Sequence, residues 1–243
     1  MSGIVEAPRS ISLAADVEPE KFAPLVGELH DVEGLDSVKV GFEVALGITL
    51  ATASDVVHDA GLISVYDHQK GANDIHLTGA NFVRAMLRGK VDAAILFPFT
   101  GPVVQEHWTK ALLDEGVKVI SGGEMTHPQI ASSYDGKRGG YVHPRAFKRM
   151  YAKAVELGVR DFVVPGNKVK KVAEYKLLLD ELAGEGTYDL WAPGFIDQGG
   201  NITDTGAVAG ERFHPIVGGG IYNAENPRAA AQMLGQSVLG KAA

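Results

Sequence analysis

The chain has 243 residues, of which 45% are hydrophobic and 22% charged, and its formal net charge is -7. An acidic balance without a long basic run argues against a nucleic-acid partner or an anionic membrane surface. The sequence contains no cysteine, which excludes disulfides, thiolate nucleophiles and cysteine-ligated zinc. Neither a secretory signal pattern nor an apolar run of membrane-spanning length is present, so we expect a soluble, cytoplasmic protein.

Short apolar runs, typical of buried parallel strands, alternate with helical patterns along the whole chain. The predicted strands are 11–15, 37–40, 62–66, 92–96, 117–120, 161–164, 189–192 and 214–217. Strand–helix units of about 30 residues in strict alternation predict a (β/α)8 TIM barrel, with residues 1–243 forming a single domain. A doubly wound open sheet is the competing fold, and it is disfavoured because no Gly-x-Gly-x-x-Gly motif follows the first strand and no linker is visible.

Prolines and glycines mark the predicted helix boundaries. Proline is favoured at the first helical position, and glycine is favoured just after the last one. The prolines are Pro19, Pro102 and Pro227, and the glycines are Gly89, Gly116 and Gly158. Two long segments, 121–143 and 193–205, follow the fifth and seventh strands, where loops are often lids. For the first segment, whose tip is charged and flanked by glycine, a solvated turn is favoured.

Lys39 is a lone charge inside the second predicted strand, between two valines. Side chains alternate faces along a strand, so Lys39 points into the barrel if the valines face the helices. A buried lysine needs partners, and Asp16 and Asp67 at the ends of the neighbouring strands are the natural ones. A buried ion pair with a purely structural role is the alternative interpretation.

The segment after the third strand places Lys70 between Asp67 and Asp74. If the three side chains share a pocket, each neighbour favours the charged form of the others. Few reactions need a protonated lysine held beside fixed negative charge, and decarboxylation through a carbanion is one of them. Gly218, Gly219 and Gly220 follow the last strand and precede a helix, which is typical of a phosphate-binding loop, although a plain turn also fits. No His-x-x-x-His pair supports a zinc site.

Five motifs together resemble the orotidine 5′-monophosphate decarboxylase family, a (β/α)8 barrel that binds phosphate. They occur in the order of that family and on the corresponding strands. They are Leu-Ala-Ala-Asp at 13–16, Lys-Val-Gly at 39–41, Glu-Met-Thr-His-Pro at 124–128, the Pro-Gly…Gln-Gly-Gly loop at 193–200 and Gly-Gly-Gly-Ile-Tyr at 218–222.

The resemblance implies decarboxylation of orotidine 5′-monophosphate to UMP, a step of pyrimidine synthesis, without a metal or organic cofactor. It implies a catalytic network of Lys39, Asp67, Lys70 and Asp74 in a homodimer, with Asp74 and Thr78 reaching the partner's site. The implied substrate contacts are Asp16 with the ribose, Thr126 with the pyrimidine, Gln198 between pyrimidine and phosphate, and the loop Gly218, Gly219 and Gly220 with the phosphate. Pro165, after the sixth strand, is included among the substrate-binding residues.

Two departures from the family pattern bear on this function. The family has Asp-x-Lys-x-x-Asp, whereas here one extra residue separates Asp67 from Lys70 and another separates Lys70 from Asp74. Gly219 stands where the family has a phosphate-binding arginine, and losing a charge-assisted bond weakens phosphate binding about ten- to hundredfold. Candidate substitutes for that arginine are Lys137, Arg138 and Lys168.

Two other functions remain open from the sequence. One is a Mg²⁺-dependent sugar-phosphate decarboxylase or aldolase on the same kind of barrel, which uses a similar motif after the third strand. The Glu-Met-Thr-His-Pro and Gln-Gly-Gly elements favour the pyrimidine enzyme over it. The other is a non-catalytic nucleotide-binding barrel in which the lengthened motif has lost activity.

Overall fold

The computed structural model describes residues 3–68, 71–133 and 137–240. Eight parallel strands close into a barrel, with β1 paired to β8 through Ser12–Ile216 and Leu13–Val217. The strands are β1 (Ile11–Ala15), β2 (Leu35–Val40), β3 (Ile63–Asp67), β4 (Ala93–Leu96), β5 (Lys118–Gly122), β6 (Asp161–Val163), β7 (Asp189–Pro193) and β8 (Phe213–Val217). The predicted barrel is confirmed, and its closure excludes the open sheet.

Helices surround the barrel and connect successive strands. They are α1 (Pro19–Leu29), α2 (Phe42–Gly47), α3 (Leu50–Asp59), α4 (Gly79–Arg88), α5 (Pro102–Asp114), α6 (Pro144–Glu156), α7 (Val169–Ala183), α8 (Ile202–Ala209), α9 (Gly219–Tyr222) and α10 (Pro227–Val238). A 3₁₀ turn, His76–Thr78, precedes α4. No helix within the described residues is both long and apolar enough to cross a membrane.

The apolar residues form two clusters on the two faces of the sheet. The larger lies between the strands and the helices and contains Val38 and Val40 of β2. The smaller fills the barrel interior, where Ile95, Val163 and Ile216 pack against one another. Strand alternation therefore divides each strand between an outer core and an inner one.

The helix boundaries follow the predicted proline and glycine signals. Pro19, Pro102 and Pro227 each occupy the first turn of a helix. Gly116 and Gly158 adopt φ of 81° and 88°, the left-handed conformation that ends a helix. Gly89 also follows a helix end, because α4 ends at Arg88, but its φ is -73° and Lys90 takes the left-handed conformation. The Leu50 side chain also lies close to this glycine, since a Cβ there would be 2.6 Å from it.

The amino-terminal end of the barrel is packed closed. Val5, before β1, is buried against the inner cluster that also contains Trp191. The Trp191 indole donates to Asp161 Oδ1 at 3.0 Å. Asp189 Oδ1 lies 2.8 Å from both Arg212 Nε and His214 Nε2. Because side chains fill the amino-terminal end, the room for a ligand lies at the opposite, carboxyl-terminal end of the barrel.

Candidate functional site

A cavity of about 290 Å³ opens at the carboxyl ends of the strands. Its floor is apolar and belongs to the inner cluster, with Ile95, Phe97, Val163 and Ile216. Its walls are polar and come from the ends of β1, β2 and β3 and from the loops after β5, β7 and β8. The polar wall residues are Asp16, Lys39, Asp67, Glu124, Thr126, Asp197, Gln198 and Tyr222.

Lys39 lies between the two aspartates that strand alternation predicts as its partners. Its Nζ is 3.0 Å from Asp16 Oδ1 and 3.2 Å from Asp67 Oδ2. The Lys39 and Asp67 side chains are 10% and 9% exposed, whereas Asp16 is 53% exposed at the cavity mouth. A Cβ at position 41 would lie 2.7 Å from Asp16 Oδ1, so Gly41 makes room for this ion pair.

Lys39 keeps its positive charge in this position. Burial by itself lowers the pKa of the Lys39 ammonium. The charges of Asp67 and Asp16, together with their hydrogen bonds, outweigh burial and raise the pKa above its ordinary value. The cavity therefore contains a fixed cation whose two acidic partners are both available to a ligand.

Backbone contacts hold Gly71, the residue that follows the predicted catalytic lysine. Gln69 and Lys70 lie outside the described residues, so the lysine's position among the acids stays a prediction. The Gly71 N–H donates to His68 O at 2.6 Å, and the Phe97 N–H donates to Gly71 O at 3.0 Å. A Cβ at Gly71 would lie 2.7 Å from Ile95 O. Gly71, the residue after the predicted catalytic lysine, therefore packs tightly against the end of β4.

Asp74 and Thr78 lie apart from the cavity that holds Lys39. Both line a separate depression of about 520 Å³ together with His68, Asn81 and Trp108. Asp74 Oδ1 accepts from the Ile75 N–H at 2.7 Å, and Thr78 Oγ1 donates to Ile75 O at 2.8 Å. Within one chain, the structure does not bring these two residues to Lys39 and Asp67.

The loop after β5 is held by a buried ion pair that the sequence did not indicate. Lys168 Nζ lies 2.9 Å from Glu124 Oε1 and donates to Met125 O at 2.8 Å. Tyr175 donates its hydroxyl to the other oxygen of Glu124. Lys168 is thus committed to Glu124, so its candidacy as a substitute for the missing arginine was wrong. Residues 44 positions apart in sequence carry no periodic signal that would pair them.

Thr126 is positioned by its neighbours on the loops after β6 and β7. Asn167 Nδ2 donates to Thr126 O at 3.2 Å. Gly194, with φ of 106°, passes so close that a Cβ there would lie 2.9 Å from Thr126 Cγ2. Pro165 is buried in the loop after β6, where its carbonyl accepts from the Lys168 N–H, and it is not among the residues lining the cavity.

The loops after β7 and β8 meet at the far side of the cavity. Gln198, Gly218 and Gly219 line it there, as the motifs predict, whereas Gly220 does not. A Cβ at Gly219 would overlap the Asp197 carboxylate, and one at Gly220 would overlap the Ile196 side chain. The predicted phosphate loop therefore has a carboxylate pressed against it.

The remaining candidates for the missing arginine lie outside this site. Lys137 and Arg138 are exposed, and the Arg138 N–H donates to Ser133 Oγ at 2.8 Å. Among the described residues lining the cavity, Lys39 is the one cation, against Asp16, Asp67, Glu124 and Asp197. Within residues 3–68, 71–133 and 137–240, no three His, Asp or Glu side chains are grouped to hold a metal ion.

Comparisons with known proteins point to one family. No protein-family model matches the chain. The curated orotidine 5′-phosphate decarboxylase of Methanosphaera stadtmanae is 28% identical over 232 residues, covering 94% of this chain and 96% of that protein. The crystal structure of orotidine 5′-phosphate decarboxylase from Pyrococcus horikoshii superposes with a TM-score of 0.72 at 25% identity, covering 95% of this chain and 99% of that one.

A further solved structure agrees in fold. Orotidine 5′-monophosphate decarboxylase from Methanocaldococcus jannaschii, complexed with the inhibitor BMP, superposes with a TM-score of 0.78 at 22% identity, covering 95% of this chain and 98% of that one. These similarities confirm the resemblance that the motifs predict, over nearly the whole length of both partners.

Proposed function

Because the chain is similar to orotidine 5′-phosphate decarboxylases over nearly its whole length, we propose that it decarboxylates orotidine 5′-monophosphate to UMP. The observation that carries the proposal is Lys39 held at 3.0 and 3.2 Å between Asp16 and Asp67, above an apolar floor. This arrangement gives the reacting end of the cavity fixed charges and little water, which is how preorganised sites stabilise charge that develops during a reaction.

In the proposed reaction, the substrate carboxylate lies beside Asp67 and the bond from C6 to the carboxylate breaks. The bonding electrons stay on C6 as CO₂ leaves. The Lys70 ammonium stabilises this carbanion and transfers its proton to C6, which yields UMP and neutral lysine. Lys39 orients Asp67 through their ion pair and balances its charge. No metal or organic cofactor takes part in this scheme.

The substrate contacts follow from the walls of the cavity. Asp16, half-exposed at the mouth, is proposed to bind the ribose hydroxyls, and Thr126 the pyrimidine. Gln198 lies on the loop after β7, from which an amide can bridge the pyrimidine and the phosphate. We assign the phosphate to Gly218, Gly219 and Gly220, since backbone N–H groups of glycine can approach a dianion closely. Pro165 does not line the cavity, so we assign it no substrate contact.

We further propose that the active form is a homodimer. Asp74 and Thr78 line their own depression rather than the cavity of their own chain, which suits residues that complete a partner's site. Two apolar side chains between them in sequence, Ile75 and Leu77, are 56% and 71% exposed. A cytoplasmic location belongs to the same proposal, because nucleoside monophosphates are charged metabolites that do not cross membranes unaided.

The decisive experiment adds orotidine 5′-monophosphate to the purified protein, with and without EDTA, and follows the ultraviolet change as UMP forms. EDTA-insensitive turnover is expected. Turnover lost with EDTA and restored by Mg²⁺ would contradict the metal-free scheme, whereas an enzyme of the sugar-phosphate type would leave this substrate unchanged with or without Mg²⁺. UMP binding in a thermal-shift assay without turnover would indicate a non-catalytic nucleotide-binding barrel.

Lys70→Ala tests the assignment of the proton donor. Turnover is expected to fall below detection, because without the ammonium neither the carbanion is stabilised nor a proton delivered. Circular dichroism and UMP binding should be retained, since the change removes one side chain. Lys110→Ala, which removes an exposed lysine on α5, serves as the control and should keep full activity. An active Lys70→Ala enzyme would overturn the mechanism.

A further inference from the structure

Asp197 occupies a position where the family's arginine and a bound phosphate would both have to fit. Its carboxylate lies so close to Gly219 that a Cβ there would overlap it. Asp197 lines the same cavity as Gly218, Gly219 and Tyr222. Burial, followed by the charges of Asp16 and Asp197, raises the pKa of the Tyr222 hydroxyl, in keeping with a carboxylate near that wall.

The loop that carries Asp197 folds back on itself. The Gly200 N–H donates to Gly194 O at 3.1 Å, and the Gly199 N–H donates to Ile196 O at 3.0 Å. Ile196, next to Asp197, adopts φ of 63°, a conformation that β-branched residues rarely take. Strained residues of this kind persist at ligand clamps and switch loops. The loop therefore lies over Gly219 with backbone strain at Ile196, and a change of loop conformation would release that strain.

The charge at this end of the cavity is opposite to what a phosphate site requires. On the cavity wall formed by the loops after β7 and β8, Asp197 is the charged residue among the described residues. Lys39 lies on the wall formed by β1 to β3 and is paired there with Asp16 and Asp67. A phosphate held by Gly218 and Gly219 would approach the Asp197 carboxylate, and like charges at such distances repel.

We propose that Asp197 is a specificity-determining residue that weakens binding of the substrate's 5′-phosphate. A phosphorylated ligand binds only by displacing the Asp197 carboxylate from Gly219, and an unphosphorylated nucleoside does not meet this barrier. This rests on the proposed function, which places the phosphate at Gly218, Gly219 and Gly220. The chain consequently gains less affinity from the phosphate than a barrel with arginine at position 219.

The test measures dissociation constants of UMP and of uridine by calorimetry for the wild type, Asp197→Asn and Asp204→Asn. Asp204→Asn removes the same charge from an exposed position of α8, outside the cavity. Asparagine keeps the size of the side chain that the phosphate displaces and removes its negative charge, so UMP binding should tighten about tenfold in Asp197→Asn as the repulsion between like charges is lost. Uridine binding should be unchanged, and the gain for UMP should shrink at 1 M salt because exposed charges are screened.

Three results would overturn the proposal: unchanged UMP affinity in Asp197→Asn, equal tightening of UMP and uridine, or tightening in Asp204→Asn as well. Equal tightening would mean that the loop, rather than its charge, limits access. Turnover of orotidine 5′-monophosphate by the wild type tests the proposed function separately. Tighter UMP binding in Asp197→Asn without turnover in the wild type would sustain the role of Asp197 and reject the decarboxylase.

Discussion

At the carboxyl end of the barrel, Lys39 lies between two aspartates that face a cavity, whereas at the amino end Asp161 lies among packed side chains. Both ends place charged groups inside the barrel, which is costly unless they are paired. At the carboxyl end the partners hold the charge and raise the pKa of Lys39. At the amino end, burial dominates and raises the pKa of Asp161 to about 7, with nearby Asp189 adding to the effect.

The difference teaches what each end is organised to do. A lysine whose charge is secured by two carboxylates offers a fixed electrostatic environment to a ligand. A carboxyl group that resists ionisation offers nothing to a ligand, and its hydrogen bond from Trp191 helps to close the barrel. Changes at the cavity end should therefore affect turnover before stability, and changes at the closed end should do the reverse.

Among the variants that compare the two ends of the barrel, Lys39→Met is expected to have the largest effect, and that effect is on turnover. It leaves Asp16 and Asp67 without their shared cation, so the catalytic rate should fall about 10²- to 10³-fold, as when one preorganised charge-stabilising group is removed. Steady-state kinetics measure the catalytic rate, and urea unfolding measures the stability of the variant. Lys21→Met, at an exposed ion pair on α1, is the control. If Lys39→Met does not fold, or if its folded form keeps the wild-type catalytic rate, the role of Lys39 is structural instead.

The next effect tests the support of the cavity wall rather than its charge. Lys168→Met removes the cation from Glu124, which is 6% exposed, and leaves Tyr175 as its remaining side-chain partner. The free energy of unfolding should fall by about 3 kcal/mol, because an uncompensated charge is left buried. KM should rise more than kcat falls, since the loop bearing Thr126 loses its anchor.

Two companion variants decide whether that loss comes from the buried charge. Adding Glu124→Gln to Lys168→Met should recover part of the stability, because glutamine is neutral and still accepts from Tyr175. Lys171→Met breaks an exposed ion pair with Glu174 and should cost under about 1 kcal/mol. Equal losses for Lys168→Met and Lys171→Met would contradict a special role for the Glu124 pair.

The smallest effect concerns the closed end and depends on pH. The pKa of Asp161 is about 7 in the folded chain, against an ordinary value of 3.8. Between pH 3.8 and pH 7, the folded chain therefore binds more protons at this residue than the unfolded chain does. Wild-type stability should therefore fall as pH rises from about 4 to 7 through this group. Asp161→Asn, which can still accept from Trp191, removes that decline and should be more stable than the wild type at pH 8, by on the order of 2 kcal/mol.

Urea unfolding at pH 4.5 and pH 8 measures this difference, which should nearly vanish at the lower pH. Turnover at pH 8 should be unchanged, because Asp161 lies at the end opposite to the cavity. Asp114→Asn, at the exposed end of α5, should show no pH-dependent gain. A stability gain independent of pH would mean that Asp161 does not titrate in this range.

Much of the fold could be predicted because buried parallel strands require short apolar runs. Each predicted strand lies within two residues of the observed one, and β1 (Ile11–Ala15) matches at both ends. The glycine signal placed Gly89 at the end of α4, but it did not show that the Leu50 side chain would lie 2.6 Å from a Cβ at that position. Local signals identify a helix end but do not show what packs against it.

The sequence by itself determined the order of the strands, and it favoured a barrel with Lys39 pointing inward between Asp16 and Asp67, because side chains alternate faces along a strand and parallel strands end at the same edge. Only the tertiary structure decided that Lys168 pairs with Glu124 and that Asp197 lies against Gly219. Those contacts join loops whose relative position depends on how neighbouring strands and helices pack. Long-range packing of this kind leaves no periodic trace in the order of the residues.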